Sequence, residues 1–293
     1  MEIIKNKEFG DERPLFATHN LQLENVTIHA GESALKECSN IIAVNCRFEG
    51  KYPYWHNNGF TIKNCFFTEG ARAALWYSQN VQMTDTVVEA PKMFREMDGI
   101  KLENVQLPNA LETLWFCRNV ELRNVQIDKA DYLFIHGENI RIENYSQNGN
   151  YSFQYCKNVE IRNAIINSKD AFWNTENVTV YDSELNGEYL GWHSRNLRLV
   201  NCKISGTQPL CYAFLFGFYH LFNLPFLIIF ARFLLKQALD IFSRRDFHAG
   251  TKFRRTDKEH LSRNRRYYHS LLVAVEAVAR LVNVQNVFHV WRA

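Results

Sequence analysis

The sequence predicts an all-β protein, a right-handed, single-stranded parallel β-helix of about ten coils of 19–20 residues. Three observations lead to this prediction. An Asn or Gly recurs every 19–21 residues, apolar residues lie one and three positions after it, and a second Asn or Asp lies five positions after it. A coil of this length leaves no room for a helix between strands, which argues against a leucine-rich repeat.

We call the recurring Asn or Gly the index position. It is occupied in ten successive coils by Asn20, Asn40, Gly59, Asn80, Gly99, Asn119, Asn139, Asn158, Asn177 and Asn196. Apolar residues such as Ile100 and Val120 follow one position later, and Leu102 and Leu122 follow three positions later. The residues between them are mostly Gln, Thr, Lys, Glu and Arg. This period of two predicts a strand with an apolar inner face and a polar outer face.

The column five positions after the index consists of Asn25, Asn45, Asn64, Asp85, Asn104, Asn124, Asn144, Asn163, Asp182 and Asn201. We interpret it as a ladder of stacked amides at a bend, where each side chain bonds its counterpart one coil away or the local backbone. A second short strand then places another apolar residue inward. Each coil depends on its neighbours, so the stability of the rod comes from nearest-neighbour stacking.

The repeat divides the chain into an N-terminal cap (1–12), the parallel β-helix (13–212), an apolar segment (213–235) and a basic tail (236–293). Residues 213–293 carry 13 Lys/Arg and 5 Asp/Glu, whereas residues 1–212 carry 21 and 26. The tail fits three hypotheses. It is a membrane-associated segment, a cap of apolar helices over the open end, or the product of a shifted reading frame that has no function of its own, and the basic part 236–293 can contain an amphipathic helix.

Composition and motif content bear on the cellular compartment, the cofactors and the partners of the protein. Seven cysteines show no zinc-site spacing, and the first residues contain no apolar signal region, so we expect a cytoplasmic protein with free thiols. Membrane association through residues 213–235 is the exception to that localisation. Nothing in the sequence implies a cofactor or a metal, no motif is specific for nucleic acid, and the oligomeric state is open.

Several segments, including "FREMDGIKLENV", "ETLWFCRNVELRNV" and "NYSFQYCKNVEIRN", resemble an uncharacterised bacterial family of right-handed parallel β-helix proteins. The resemblance covers about residues 1–212. It implies a pectate-lyase-like fold, and it carries no established activity and no catalytic residues.

Five of the six tryptophans lie four positions before the index, in a column with Arg95. The adjacent column, three before the index, is rich in His and Tyr. Together they supply the candidate ligand-binding residues Trp55, His56, Trp76, Tyr77, Trp115, His136, Trp173, Trp192 and His193. One interpretation is a groove of aromatic platforms for carbohydrate, and the other is an indole stack that serves stability alone. The histidines are roughly 14–19 Å apart along the coils, too far to share a metal.

Arg95, Glu96 and Asp98 are the candidate catalytic residues, because paired carboxylates can act as acid and base on a glycosidic bond. An ordinary surface ion pair is the alternative. The leading functional hypothesis is a binding or scaffold protein for carbohydrate, and the alternative is a polysaccharide lyase or glycoside hydrolase.

Overall fold

The computed structural model describes the backbone of residues 1–219 and the side chains of residues 1–213. This part of the chain is a parallel β-solenoid of about eleven turns. Its only helical element is a short 3-10 helix at Glu69–Ala71. The predicted all-β class and the stacking of successive coils are therefore confirmed.

The first strand of each coil contributes to one long parallel sheet, which we call the main sheet. Its strands are β1 (Glu2–Lys5), β3 (His19–Glu24), β5 (Ser39–Val44), β7 (Asn58–Lys63), β9 (Gln79–Thr84), β11 (Asp98–Glu103), β13 (Arg118–Ile127), β14 (Glu138–Asn150), β15 (Lys157–Lys169), β16 (Glu176–Tyr181), β18 (Arg195–Val200) and β20 (Phe214–Tyr219).

A second, narrower parallel sheet is built after the bend of each coil. Its separate strands are β2 (Glu8–Glu12), β4 (Thr27–Glu32), β6 (Arg47–Phe48), β8 (Phe66–Phe67), β10 (Val87–Val88), β12 (Gln106–Leu107), β17 (Glu184–Asn186) and β19 (Lys203–Ser205). In β13, β14 and β15 the strand runs on through the bend and contributes to both sheets.

The hydrophobic core fills the interior of the coils, as the alternating pattern predicts. Ile100 pairs with Val120 and Leu102 with Leu122 in parallel register, and all four side chains are buried. Parallel stacking brings together residues that are one sequence period apart, so each apolar column becomes a continuous file of contacts.

The predicted amide ladder five positions after the index is confirmed. Asn144 Nδ2 donates to Asn124 Oδ1 and Asn124 Nδ2 to Asn104 Oδ1, each at 3.0 Å. Asn124 adopts a left-handed backbone conformation (φ 53°), which Asn tolerates better than most residues. Asp85 accepts a bond from Asn104 at 3.0 Å but has no N–H to donate, so the ladder is interrupted between Asp85 and Asn64.

The index column forms a second ladder by the same geometry. Asn139 Nδ2 donates to Asn119 Oδ1 at 3.1 Å. Where Gly99 occupies the index position, Asp98, the residue before it, takes the place of the missing amide in the ladder. Asn119 Nδ2 donates to Asp98 Oδ1 at 2.6 Å. The two ladders therefore fix the bends on either side of the main-sheet strands.

A buried polar chain crosses the interior near the middle of the solenoid. The Tyr145 hydroxyl donates to Gln147 Oε1 at 2.9 Å, Gln147 Nε2 donates to Ser152 Oγ, and Ser152 Oγ lies 2.7 Å from Ser168 Oγ. All four side chains are buried. Each of these four side chains therefore has a hydrogen-bond partner, as burial requires.

Both ends of the predicted solenoid differ from the sequence boundaries. Residues 1–12, predicted as a cap, already form the first coil, because Glu2–Lys5 pairs with β3 and Asn6 accepts a ladder bond from Asn25 at 3.1 Å. At the other end β20 pairs with β18, with Phe216 opposite Leu197 and Phe218 opposite Leu199. Apolar residues thus continue opposite the apolar columns for one strand beyond residue 212, whereas the residues between them are no longer polar.

The remaining predictions for the tail, including most of the apolar segment 213–235 and all of the basic segment 236–293, lie outside the described residues. Within residues 1–219, no helix has the length and apolarity needed to cross a bilayer.

Candidate functional site

The indole column, Trp55, Trp76, Trp115, Trp173 and Trp192, is half-buried, and four of its five rings pack against each other in pairs. Trp55 and Trp76 stack at 5.3 Å between ring centroids with an angle of 8°, and Trp173 and Trp192 pack at 5.5 Å. Coils about 4.8 Å apart place ring above ring, so in each pair a neighbouring indole covers one of the faces that a sugar would use.

Four of the five indole N–H groups also donate hydrogen bonds to backbone carbonyls. Trp55 Nε1 donates to the Ala73 carbonyl at 2.6 Å, and Trp76 Nε1 donates to the Lys92 carbonyl at 2.7 Å. Each bond ties an indole to the turn of the following coil. These contacts support the stability interpretation of the indole column.

Arg95 continues the indole column as a cation between two rings. Its guanidinium carbon lies 4.3 Å from the Trp76 centroid and 4.4 Å from the Trp115 centroid, and one terminal nitrogen lies 3.8 Å from Glu112 Oε2. Its buried Nε has no hydrogen-bond partner. The guanidinium thus replaces an aromatic ring in the stack through cation–π contact.

The two candidate carboxylates are not equivalent. Asp98 accepts the ladder bond from Asn119 and lies 3.4 Å from a terminal nitrogen of Arg118. Glu96 has a left-handed backbone (φ 51°) in the turn before β11, so it does not lie on the same strand as Asp98. Among the described residues, the Glu96 carboxylate forms no ion pair or hydrogen bond.

The exposed aromatic edge is the column three positions before the index, which we call the ring column: His56, Tyr77, Phe116, His136, Tyr155, His193 and Tyr212. Tyr77, Phe116 and Tyr155 are 39%, 47% and 43% exposed, unlike the half-buried indoles. His56 stacks on Tyr77 at 5.0 Å, and His136 stacks on Phe116 at 5.0 Å and on Tyr155 at 4.7 Å.

The outward face of the main sheet is concave where β9, β11, β13, β14 and β15 lie side by side. It forms a hollow of about 630 Å³ beside a second of about 500 Å³. We call the two together the trough. Its first hollow is lined by four cations and four glutamates: Lys101, Arg123, Arg141, Arg162, Glu103, Glu121, Glu143 and Glu160. Its formal charge is therefore balanced.

Most trough cations pair with a glutamate one coil or two residues away. Lys101 lies 3.4 Å from Glu121, and Arg162 lies 3.1 Å from Glu160. Arg141 stands in register between these two glutamates and lines both hollows. Within the described part of the chain, it is the only trough cation whose side chain has no ion pair or hydrogen bond.

The titratable groups described next, His29 and the cysteines, make contacts within the solenoid. His29 lies 3.1 Å from Glu8 and 3.1 Å from Glu49 through its two ring nitrogens, and these hydrogen bonds raise the pKa of His29. All seven cysteines are free and buried, and burial raises the pKa of Cys117 to about 12. Residues 1–219 contain no cluster of His, Cys, Asp or Glu that could hold a metal.

Sequence reasoning named His56, Tyr77, His136 and His193 of the ring column but did not identify the trough. The signal for the trough is present in the outward positions of the strands, where charge alternates from coil to coil, as in Glu121, Arg141 and Glu160. Concavity and the missing partner of Arg141 are not visible in that pattern.

Fold and surface together define a parallel β-solenoid with a polar trough on one sheet and an exposed aromatic edge beside it. The chain belongs to the family described as "Protein of unknown function (DUF3737)", whose model matches residues 2–216. The match continues past the predicted end of the repeat at residue 212. The family description does not name a pectate-lyase-like fold, and that finer resemblance stays a prediction.

Comparison with solved structures finds distant similarity. The Azotobacter vinelandii mannuronan C-5 epimerase AlgE4 A-module is 10% identical, with 75% of this chain and 87% of that chain covered and a TM-score of 0.38. The catalytic domain of a GH87 α-1,3-glucanase in complex with nigerose is 11% identical over 71% and 50%, with a TM-score of 0.29. The fluoroquinolone resistance protein QnrB1 is 14% identical over 78% and 96%, with a TM-score of 0.22. No curated protein matches the chain.

Proposed function

We propose that the protein is a non-catalytic carbohydrate-binding solenoid that holds a linear glycan along the trough. The observation that carries the proposal is Arg141, an unpaired guanidinium at the centre of an elongated, charge-balanced surface. Guanidinium and carboxylate groups in alternation present donors and acceptors to sugar hydroxyls, and a free guanidinium can also bind a uronate carboxylate through two hydrogen bonds.

The trough crosses successive coils and so runs along the solenoid axis, which suits an extended ligand. Its polar columns repeat at about 4.8 Å along the axis, because each coil contributes one side chain to each column. A polymer lying along the axis would therefore meet equivalent groups at each coil. The balanced charge argues against a polyanion such as nucleic acid, which requires an excess of Lys and Arg.

The arrangement of Arg95, Glu96 and Asp98 favours binding over cleavage. The guanidinium of Arg95 is held between two indoles, and Asp98 is committed to Asn119 and Arg118. Only Glu96 retains a free carboxylate, whereas glycoside hydrolysis normally uses two. A lyase or hydrolase centred on these residues stays the alternative hypothesis.

A glycan array followed by calorimetry on the best neutral and uronate-containing oligosaccharides tests the proposal. We expect Arg141→Ala to weaken binding at least tenfold. Arg198→Ala is the matched control, since Arg198 occupies the same outward column two coils beyond Glu160 but lines neither hollow. Equal binding by wild type and R141A, or the absence of any glycan ligand, would overturn the proposal. Product release from the same oligosaccharides that is lost in Glu96→Gln would favour the enzyme alternative.

A further inference from the structure

The ring column is interrupted at the coil where the indole column contains Arg95 in place of a tryptophan. Tyr77 and Phe116 belong to coils two apart, and the coil between them contributes Glu96. The backbone register is continuous, because Tyr77 N–H donates to the Arg95 carbonyl and Glu96 N–H donates to the Trp115 carbonyl, each at 2.9 Å. A ring is therefore missing from an otherwise regular stack.

The interruption leaves one face of Tyr77 and one face of Phe116 without a stacked aromatic ring. His56 covers one face of Tyr77, and His136 covers one face of Phe116. The other faces point toward each other across the Glu96 coil, and the two rings are 39% and 47% exposed. At about 4.8 Å per coil, the two ring positions are separated by about 10 Å.

The neighbouring indole column shows that this solenoid can hold a group in a gap of this height. Trp76 and Trp115 are also two coils apart, and they enclose the Arg95 guanidinium at 4.3 and 4.4 Å. Both distances exceed the roughly 3.5 Å contact of flat stacked groups. The gap at Glu96 therefore has room for one stacked group, as thick as or thicker than the planar rings that stack at 4.7–5.0 Å elsewhere in this column, and a saturated pyranose ring meets that condition.

We infer that Tyr77, Glu96 and Phe116 form a binding slot for a single pyranose unit, such as a chain end or a branch, an inference that rests on the proposed carbohydrate-binding function. The C–H faces of the sugar pack against the two rings, as sugars do on aromatic platforms. The Glu96 carboxylate, which has no partner among the described residues, accepts hydrogen bonds from hydroxyl groups at the rim.

The same arrangement recurs once along the edge. Asn174 lies between Tyr155 and His193 in the ring column. The three residues belong to successive coils, because the Tyr155 N–H donates to the Trp173 carbonyl at 2.9 Å and the Asn174 N–H donates to the Trp192 carbonyl at 2.8 Å. Here an uncharged amide replaces the carboxylate, and the Trp173 ring packs against His193 at 5.8 Å between centroids, so this second gap is bounded by an open ring face only at Tyr155.

The inference is tested first by filling the slot with a larger side chain, which leaves Tyr77 and Phe116 in place. Glu96→Tyr completes the ring stack, and Tyr77 shows that tyrosine adopts the required backbone conformation in this column (φ 56°). Glu37→Tyr is the matched control: Glu37 shares the column and the conformation (φ 60°) but has Ala17 on one side, so it closes no slot between two rings. Phe116→Leu removes an aromatic face while keeping apolar volume, and serves if E96Y does not fold.

The probes are methyl β-D-glucopyranoside, methyl β-D-galactopyranoside and methyl α-D-mannopyranoside, titrated into the full chain while the ring resonances of Tyr77 and Phe116 are followed by NMR. We expect at least one probe to shift both rings saturably, with affinity reduced at least tenfold in E96Y and in F116L and unchanged in E37Y. If no probe shifts these rings, or E96Y binds as wild type does, the slot is overturned.

The outcome for the slot is separable from the outcome for the trough. Oligosaccharide binding that is lost in R141A but retained in E96Y, together with no methyl glycoside response, overturns the slot and leaves the proposed function intact. Methyl glycoside binding that is lost in E96Y, together with oligosaccharide binding unaffected by R141A, supports the slot and overturns the trough.

Discussion

Replacing Asn124 tests the physical basis of the fold, because this residue sits in the middle of an amide ladder. Its Nδ2 donates to Asn104 and its Oδ1 accepts from Asn144, each at 3.0 Å. Two exposed hydrogen bonds contribute about 2 kcal/mol together, at roughly 0.5–1.5 kcal/mol each. Alanine at φ 53° adds about 1 kcal/mol of backbone strain, so Asn124→Ala should lower the free energy of unfolding by about 3 kcal/mol.

Two further variants separate these contributions. Asn124→Gly loses both bonds but tolerates the left-handed conformation, so it should be less damaging than N124A by about 1 kcal/mol. Asn124→Asp still accepts from Asn144 and loses only the bond to Asn104, at a cost of about 1 kcal/mol. Asp85 already occupies the same column in this manner.

Urea unfolding followed by circular dichroism measures these differences, with the slope of the transition compared among variants to check that unfolding stays cooperative. The expected order of stability is wild type, N124D, N124G, N124A. If N124A lies within about 0.5 kcal/mol of wild type, or if N124D is as unstable as N124A, then directional amide bonding does not stabilise the ladder.

Three more predictions concern other parts of the solenoid. Asp85→Asn supplies the missing donor in the ladder and should raise the free energy of unfolding by about 0.5–1 kcal/mol, and a lower urea midpoint would refute this. Tyr145→Phe leaves Gln147 Oε1 buried without a donor and should cost about 1–3 kcal/mol, so an unchanged thermal midpoint would show that Gln147 finds another partner. The pKa of His29 is raised by Glu8, so the His29 contribution to stability is fully present below the unfolded-state pKa and is lost as pH rises through the native pKa. An NMR titration should show a lower pKa of His29 in Glu8→Gln, and an unchanged value would contradict the contact.

The stacking of coils could be predicted from the sequence because a parallel solenoid is nearly a translation along one axis. Residues one period apart must become neighbours, so the Asn124 ladder and the Ile100–Val120 core file follow from spacing alone. The limits of the solenoid were harder to place. Phe216 and Phe218 keep their register opposite Leu197 and Leu199 although the polar residues of the repeat have disappeared, so the strand register continues the sheet without an Asn or Gly at the index position.

The sequence by itself determined which side chains share a column. It therefore also determined that tryptophans stack on tryptophans and that carboxylates lie beside cations of the neighbouring coils. Only the tertiary structure decided which of those columns faces solvent. Left-handed turn residues before each main strand, such as Phe116, rotate the ring column outward and leave Trp115 half-buried behind it. The curvature of the sheet is likewise three-dimensional, and so is the competition in which Lys101 and Arg162 pair with Glu121 and Glu160 and leave Arg141 alone.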